Sequence, residues 1–189
     1  ATDANGNKLC FRYDSRHNIT KVINNEGQER IYNYNTSNKI TSFTDYDGST
    51  VYQEYEVLNK PSKIIDAMGN ETLLSYDLMW NMSKITRADQ GITSYTYNHA
   101  NLLECMTTPT GGKVTYEYDA NGNRTKVTGM NGEVMELAYD ALNRIVKITE
   151  PGDAVHLFAY DAENQVTKHI DPMGNETCYE YDHAGHKVK

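Results

Sequence analysis

The side chains able to do chemistry are few, and their arrangement works against a catalytic centre. His183 and His186 stand three residues apart and could ligate a metal, but the surrounding sequence offers no third ligand. Asp3-Ala4-Asn5-Gly6-Asn7, Asp119-Ala120-Asn121-Gly122-Asn123 and Asp45-Tyr46-Asp47-Gly48 have the acidic spacing that opens a calcium loop. Each lacks the closing glutamate such a loop needs, so turn chemistry accounts for them better. Cys10, Cys105 and Cys178 form no CxxC or metal-ligand spacing, and an odd number cannot complete a disulfide framework. No serine or cysteine has a histidine held near it by a recognisable motif, and the carboxylates are spread evenly along the chain. The expectation is a chain with no catalytic, cofactor-binding or metal-binding residues of its own and no cofactor, hence no enzyme.

The pattern that spreads the carboxylates is a repeat. Tyr13, Tyr34, Tyr55, Tyr76, Tyr97, Tyr118, Tyr139, Tyr160 and Tyr181 each stand 21 residues after the last, without insertion or deletion. With 15 tyrosines in 189 residues, nine in one phase have a chance probability on the order of 10⁻⁹. The next residue is Asp14, Asn35, Glu56, Asp77, Asn98, Asp119, Asp140, Asp161 or Asp182, an acid or its amide every time. Glycine follows fourteen residues after the tyrosine at Gly27, Gly48, Gly69, Gly111, Gly132 and Gly174, with Gly6 in the same phase and a slip of one at Gly91 and Gly152.

Twenty-one residues suit two strands of about 5 to 6 residues and two turns, whereas helical solenoid repeats are longer. Each repeat is therefore expected to be a β-hairpin, and residues 1–189 nine such repeats from a larger sheet. The first strand ends at the tyrosine. Two residues earlier comes Phe11, Tyr32, Leu74, Tyr95, Tyr116, Leu137, Phe158 or Tyr179, with Gln53 departing, and this period of two puts both side chains on one face. The second strand carries Val22, Phe43, Ile64, Ile85, Met106, Val127 or Ile148 nine residues after the tyrosine, with His169 departing. One step before that comes a lysine, at Lys21, Lys63, Lys84, Lys126, Lys147, Lys168 and Lys189.

If the tyrosine faces the residue seven further on, a four-residue loop joins the strands. The aromatic position then faces the Val/Ile position, and Glu54, Glu117 and Glu180 face Lys63, Lys126 and Lys189 on the other side. In that register Ile19, Ile40, Met82, Leu103, Ile145 and Val166 fall on the lysine face, which points to a bulge or to packing beside the loop. Four residues after the tyrosine come Asn38, Asn59, Asn101, Gly122, Asn143, Asn164 and Gly185, types that tolerate positive φ, with His17 and Trp80 departing. A core position for the tyrosines implies that Tyr118→Ala costs ~3 to 5 kcal/mol.

Composition narrows the function. A formal charge of -8 repels phosphate, so nucleic acid is not an expected partner. No apolar run can span a bilayer, so membrane insertion is not expected either. Ala1-Thr2-Asp3-Ala4-Asn5 lacks the basic and apolar sections of a signal peptide, which places any export signal outside this segment. A mean hydropathy of -0.72, with three Phe and one Trp beside the tyrosines, leaves little for a conventional interior. Six N-x-S/T sequons, at Asn18, Asn35, Asn70, Asn81, Asn123 and Asn175, are what Asn-rich turns followed by Thr-rich strands produce.

Tyr118-Asp119-Ala120-Asn121-Gly122-Asn123-Arg124, Tyr139-Asp140-Ala141-Leu142-Asn143-Arg144 and Asp171-Pro172-Met173-Gly174 resemble the YD repeat of RHS proteins. The resemblance runs along the whole chain and departs from the family pattern at Asn35, Glu56 and Asn98. Each substitute is expected to keep the turn chemistry. The resemblance implies an all-β fold of tandem antiparallel hairpins in a curved or spiralling sheet, part of a secreted or cell-surface shell. In bacterial polymorphic toxins, in insecticidal Tc toxins and in teneurins such repeats enclose a hollow, which in the bacterial members holds a toxic C-terminal domain. The partners implied are further repeats of the same parent chain and such a cargo. Asp171-Pro172-Met173-Gly174 resembles the stretch at which some of these shells cut themselves, but it lies in the ordinary repeat phase, where a plain turn is expected. A second function, from a different class, is an adhesion module whose tyrosines grip a glycan or cell-surface partner. A third is self-association through sheet edges.

Overall fold

The computed structural model describes residues 8–188. Among them are seventeen strands, one short 3-10 turn at Val57–Asn59 and no α-helix, which is the all-β hairpin architecture expected. The chain divides into two compact units between Thr93 and Ser94. In the first, β1 (Cys10–Tyr13), β2 (Ile19–Ile23), β3 (Glu29–Tyr34), β4 (Ile40–Thr44), β5 (Thr50–Tyr55), β6 (Pro61–Ile65), β7 (Glu71–Tyr76) and β8 (Met82–Thr86) each pair antiparallel with the next. In the second, β9 (Ile92–Tyr97) pairs from Ser94 onward with β10 (Leu103–Thr107). The same meander continues through β11 (Lys113–Tyr118), β12 (Arg124–Thr128), β13 (Val134–Tyr139), β14 (Ile145–Glu150), β15 (Ala154–Tyr160), β16 (Val166–Ile170) and β17 (Glu176–Cys178).

Within each hairpin the expected register holds at two of its three points. Phe11 faces Val22 and Arg12 faces Lys21, and the equivalent pairs recur in the hairpins from β1–β2 to β15–β16, as at Tyr116 with Val127 and Glu117 with Lys126. The tyrosine, however, faces the residue six further on: Tyr13 pairs with Ile19, Tyr118 with Arg124 and Tyr160 with Val166. One extra residue, such as Thr20, Thr125 or Thr167, is left opposite the last step of the first strand. This bulge resolves the displaced apolar side chains. It turns Ile19, Ile40, Met82, Leu103, Ile145 and Val166 from the lysine face to the tyrosine face, because direct cross-strand partners share a face.

The loop is also shorter than the expected four residues. The N–H after each tyrosine donates to the carbonyl four residues on, as Asp14 to Asn18 at 3.0 Å, and the residue between them at position four donates back, as His17 to Asp14 at 3.1 Å. Three residues are thereby enclosed, the last of them left-handed, which is the three-residue hairpin loop whose twist suits right-handed strands. His17 (φ 66) and Trp80 (φ 64) adopt this conformation as Asn38 and Gly122 do, so tertiary pairing overrides side-chain preference there. The loops fourteen residues after the tyrosine repeat the geometry. The apparent glycine slip is not a slip of the backbone: Gln90 (φ 65) and Asp153 (φ 65) hold the left-handed place in phase.

Neighbouring hairpins join edge to edge. The core position expected for the tyrosines is corrected, since among the described residues only Val22 and Thr93 of the tyrosine face and Ser42 of the lysine face are buried, and the tyrosines themselves are half-buried or, at Tyr13, exposed. A ring in that position, with one hydroxyl bond, contributes less than a core ring. Tyr118→Ala is expected to cost about 2 to 3 kcal/mol and Tyr118→Phe about 1 kcal/mol in urea unfolding. Replacing Gln90 by glycine relieves a left-handed L-residue and should stabilise by about 1 kcal/mol, raising the urea midpoint without changing the slope.

Candidate functional site

The chain's working feature is a joint repeated along it. Between the second strand of one hairpin and the first strand of the next the ladder has just three partners in most repeats, as Lys21 with Ile31, Val22 with Arg30 and Ile23 with Glu29. It stops short of the bulge, and there the tyrosine takes over. Tyr34 Oη donates to the carbonyl of Ile19 at 2.8 Å, Tyr55 to Ile40 at 2.7 Å and Tyr76 to Pro61 at 2.8 Å. In the second unit Tyr118 donates to Leu103 at 2.7 Å, Tyr139 to Arg124 at 2.8 Å, Tyr160 to Ile145 at 2.7 Å and Tyr181 to Val166 at 2.9 Å. Every one spans fifteen residues and ties a hairpin to the one before it. Desolvation pushes the phenols of Tyr34, Tyr55, Tyr76 and Tyr139 up from an ordinary value already well above neutral pH, so they stay donors further into alkali.

The residue after the tyrosine is chosen for its carboxyl or amide oxygen. Asp119 Oδ1 accepts the N–H groups of Asn121 and Asn123, both at 2.9 Å, while its Oδ2 accepts from the Asn123 side chain at 3.0 Å. Asp14, Asn35, Asp77, Asn98, Asp140, Asp161 and Asp182 hold the N–H groups two and four residues on in the same way. Glu56 does not, which corrects the expectation that every substitute keeps this chemistry. Its longer side chain makes no such bond, and the loop takes two consecutive left-handed residues, Leu58 and Asn59. A different compensation occurs at Gly129, where Glu133 Oε2 accepts the Asn131 N–H at 3.2 Å and its carboxylate fills the space of the missing side chain.

Adjacent turns are stitched together along one edge. Asn18 Nδ2 donates to Asn38 Oδ1 at 2.9 Å and Asn123 Nδ2 to Asn143 Oδ1 at 2.6 Å, so the asparagine that tolerates left-handed backbone also receives the previous repeat. Arg144 does the same with more reach. Its guanidinium meets Asp140 at 2.7 Å, the Asp161 carbonyl at 2.9 Å and Asn164 Oδ1 at 3.0 Å, and lies 4.6 Å from the centre of the Tyr160 ring. On the opposite face the lysines make ion pairs that sequence reasoning missed. Lys63 faces Glu54 in register but binds Glu71 at 2.6 Å, and Lys168 binds Glu176 at 2.6 Å; the lysine-to-glutamate spacing of eight was the available signal. Lys126 does meet Glu117, at 3.4 Å, while Lys189 lies outside the described residues.

The metal-like motifs dissolve into this chemistry. Asp119-to-Asn123 is a capped turn, Asp45 is held by Arg30 at 2.8 Å, and His186 Nδ1 lies 3.2 Å from Asp182. Asp3-to-Asn7 lies outside the described residues, as does Gly6. Among the described residues no three His, Cys, Asp or Glu are placed to hold a metal ion. Asp171 caps its turn through Met173 and Asn175, as Asp66 does through Met68 and Asn70, so nothing sets it apart for cleavage. Five sequon side chains, those of Asn18, Asn70, Asn81, Asn123 and Asn175, donate to the preceding aspartate, and Asn35 caps its own turn.

The geometry defines a class: a tandem β-hairpin repeat, tied by tyrosine and without a conventional core. The Teneurin YD-shell family model matches residues 32–189, and the chain belongs to that family. No curated protein matches it. Among solved structures it is similar to the crystal structure of TcdB2-TccC3-Cdc42, with 13% identity, a TM-score of 0.64, and coverage of 95% of this chain and 14% of that one. The Photorhabdus luminescens Tc holotoxin pore matches with 12% identity and a TM-score of 0.43, over 96% of this chain and 13% of that one. The chain thus spans about one seventh of the length of the structures it matches.

The turn carboxylates make stability depend on acid. Side-chain and backbone hydrogen bonds from Asn18, Asn70 and Asn175 hold Asp14, Asp66 and Asp171 below the ordinary 3.8, and Asp119 is lowered chiefly by the Asn123 side chain. A carboxylate depressed in the fold contributes stability above its unfolded value and loses it as pH falls through the folded one. Stability is expected to be flat near neutrality with respect to these groups and to fall progressively below about pH 4. Asp119→Asn, which keeps Oδ1 as acceptor, should make that fall shallower in urea unfolding measured across pH.

Proposed function

We propose that this chain is a length of wall from a hollow β-shell that encloses a C-terminal toxin or other cargo, and that it is non-catalytic itself. The observation that carries the reading is the tyrosine joint. It makes a single-layered sheet self-extending, since each hairpin is completed by the one before it and stability grows with the number of repeats. Membership of the YD-shell family and a fold shared with a part of TcdB2-TccC3-Cdc42 support it. On this reading residues 1–189 are nine repeats of a longer secreted or surface-exposed polypeptide, whose partners are the flanking repeats and the enclosed domain.

The test uses the longest natural polypeptide that contains this segment. Its C-terminal domain should resist protease while the repeats are folded and be digested once the shell is opened by denaturant. Digestion of that domain at the same rate in the folded protein as in a separately expressed copy would overturn the encapsulating role. Binding of the repeat segment to a glycan array at micromolar concentration would favour adhesion instead.

A further inference from the structure

His156 and His169 interrupt the tyrosine face of the second unit. The position nine after the tyrosine is apolar from Val22 to Ile148 before it becomes His169, and His156 stands where earlier repeats carry Leu9, Arg30, Val51, Thr72, Thr93, Val114 and Met135, so that Arg30 is the one charged predecessor. His156 Nδ1 lies 2.9 Å from His169 Nε2, with ring centroids 5.2 Å apart and planes inclined by only 8°. That centroid distance is the N···N distance plus two ring radii, so the rings lie edge to edge in nearly one plane. The lone pair of one nitrogen therefore faces the N–H of the other. A metal ion on that line would need about 4 Å between the nitrogens, so the ligand that fits is a proton.

The charged surroundings are limited. Glu150 Oε1 lies 3.7 Å from His156 Nε2, on the ring's outer side, and Asp171 follows His169 by two residues in the chain. Ile148 and Thr177, the direct cross-strand partners of the two histidines, are uncharged, and the Phe158 ring lies parallel to His169 at 4.8 Å. Lys147 and Lys168 belong to the other face, where Lys168 is bound to Glu176.

We propose that the His156–His169 pair is an acid-sensitive joint between β15 and β16 that accepts one added proton and opens on the second. The neutral pair carries two ring protons, one of them in the contact. A first added proton goes to an outer nitrogen, which on His156 lies beside Glu150, and leaves a charge-assisted N–H···N bond intact. A second must go onto the accepting nitrogen, where two N–H groups and two positive charges then oppose each other. In an unfolded chain the imidazoles take up their protons independently near pH ~6.5. Two imidazolium rings held nitrogen to nitrogen repel in the fold and separate freely in the unfolded chain, so local stability falls as pH drops, well above the range in which the turn aspartates act.

The experiment is a titration of the whole chain from pH ~7.5 to ~5, following the imidazole nitrogens by NMR and amide hydrogen exchange in parallel. The expected result is two separated protonation steps for His156 and His169. The second should coincide with about tenfold faster exchange, corrected for intrinsic rate, across Val166–Ile170 and no change across Ile19–Ile23. A double variant, His156→Val with His169→Ile, carries residues that Val51 and Ile148 place at the same positions and should abolish the acceleration. Equal acceleration in wild type and double variant, or a single shared protonation step with β16 protection unchanged, would overturn the proposal.

Discussion

A one-layer sheet has no interior in which to hide an unpaired carbonyl, and the bond from a tyrosine hydroxyl to the carbonyl fifteen residues earlier, made by seven tyrosines from Tyr34 to Tyr181, is the solution this chain repeats. The bulge that brings Ile19 and its equivalents to the tyrosine face also ends the ladder early, leaving that carbonyl past the last paired residue. The phenol is long enough to reach it while the ring covers the apolar side chains between. Phenylalanine covers but does not bond. Serine bonds but does not reach. Tyrosine is thereby required once per period, and the abundance of tyrosine over other aromatics follows from the architecture.

The same economy governs the turns. A backbone that must reverse twice in every repeat needs a left-handed residue at fixed places and acceptors for the N–H groups that the reversal leaves pointing inward. Asparagine and aspartate provide the acceptor at the start of the loop, and asparagine or glycine relieves its end. The two demands meet in side chains such as Asn143 and Asn164, which take positive φ and also receive Asn123 and Arg144 from the preceding repeat. Glu56 shows what happens when the acceptor is one methylene too far away: the hairpin still forms, and the loop changes its conformation.

Such a chain has its chemistry spread along a line, and this bears on function. Polar groups that elsewhere gather into a site are here spread over turns and neighbouring repeats, with carboxylates such as Asp14 and Asp119 lowered by turn hydrogen bonds and lysines such as Lys63 and Lys168 bound across strands. What distinguishes one stretch from another is local departure from the pattern, such as the histidine pair on β15 and β16. A wall built this way can be lengthened without redesign, which suits a shell.

The period, the hairpin, the two turns and the apolar face were legible in the amino-acid sequence because each depends on neighbours a few residues apart, and a strict spacing of 21 reports them directly. The pairing of Phe11 with Val22 and Arg12 with Lys21 could be derived from the same alternation. The tyrosine's true partner was only signalled, by Ile19 and its equivalents falling on the wrong face, because one inserted residue changes the face of everything beyond it and the pattern alone leaves a bulge and packing beside the loop as alternatives. The reach of Tyr118 to Leu103, the choice of Glu71 over Glu54 by Lys63 and the meeting of His156 with His169 were likewise decided only in three dimensions. They depend on how far side chains extend across strands already placed, a distance that sequence separation does not contain.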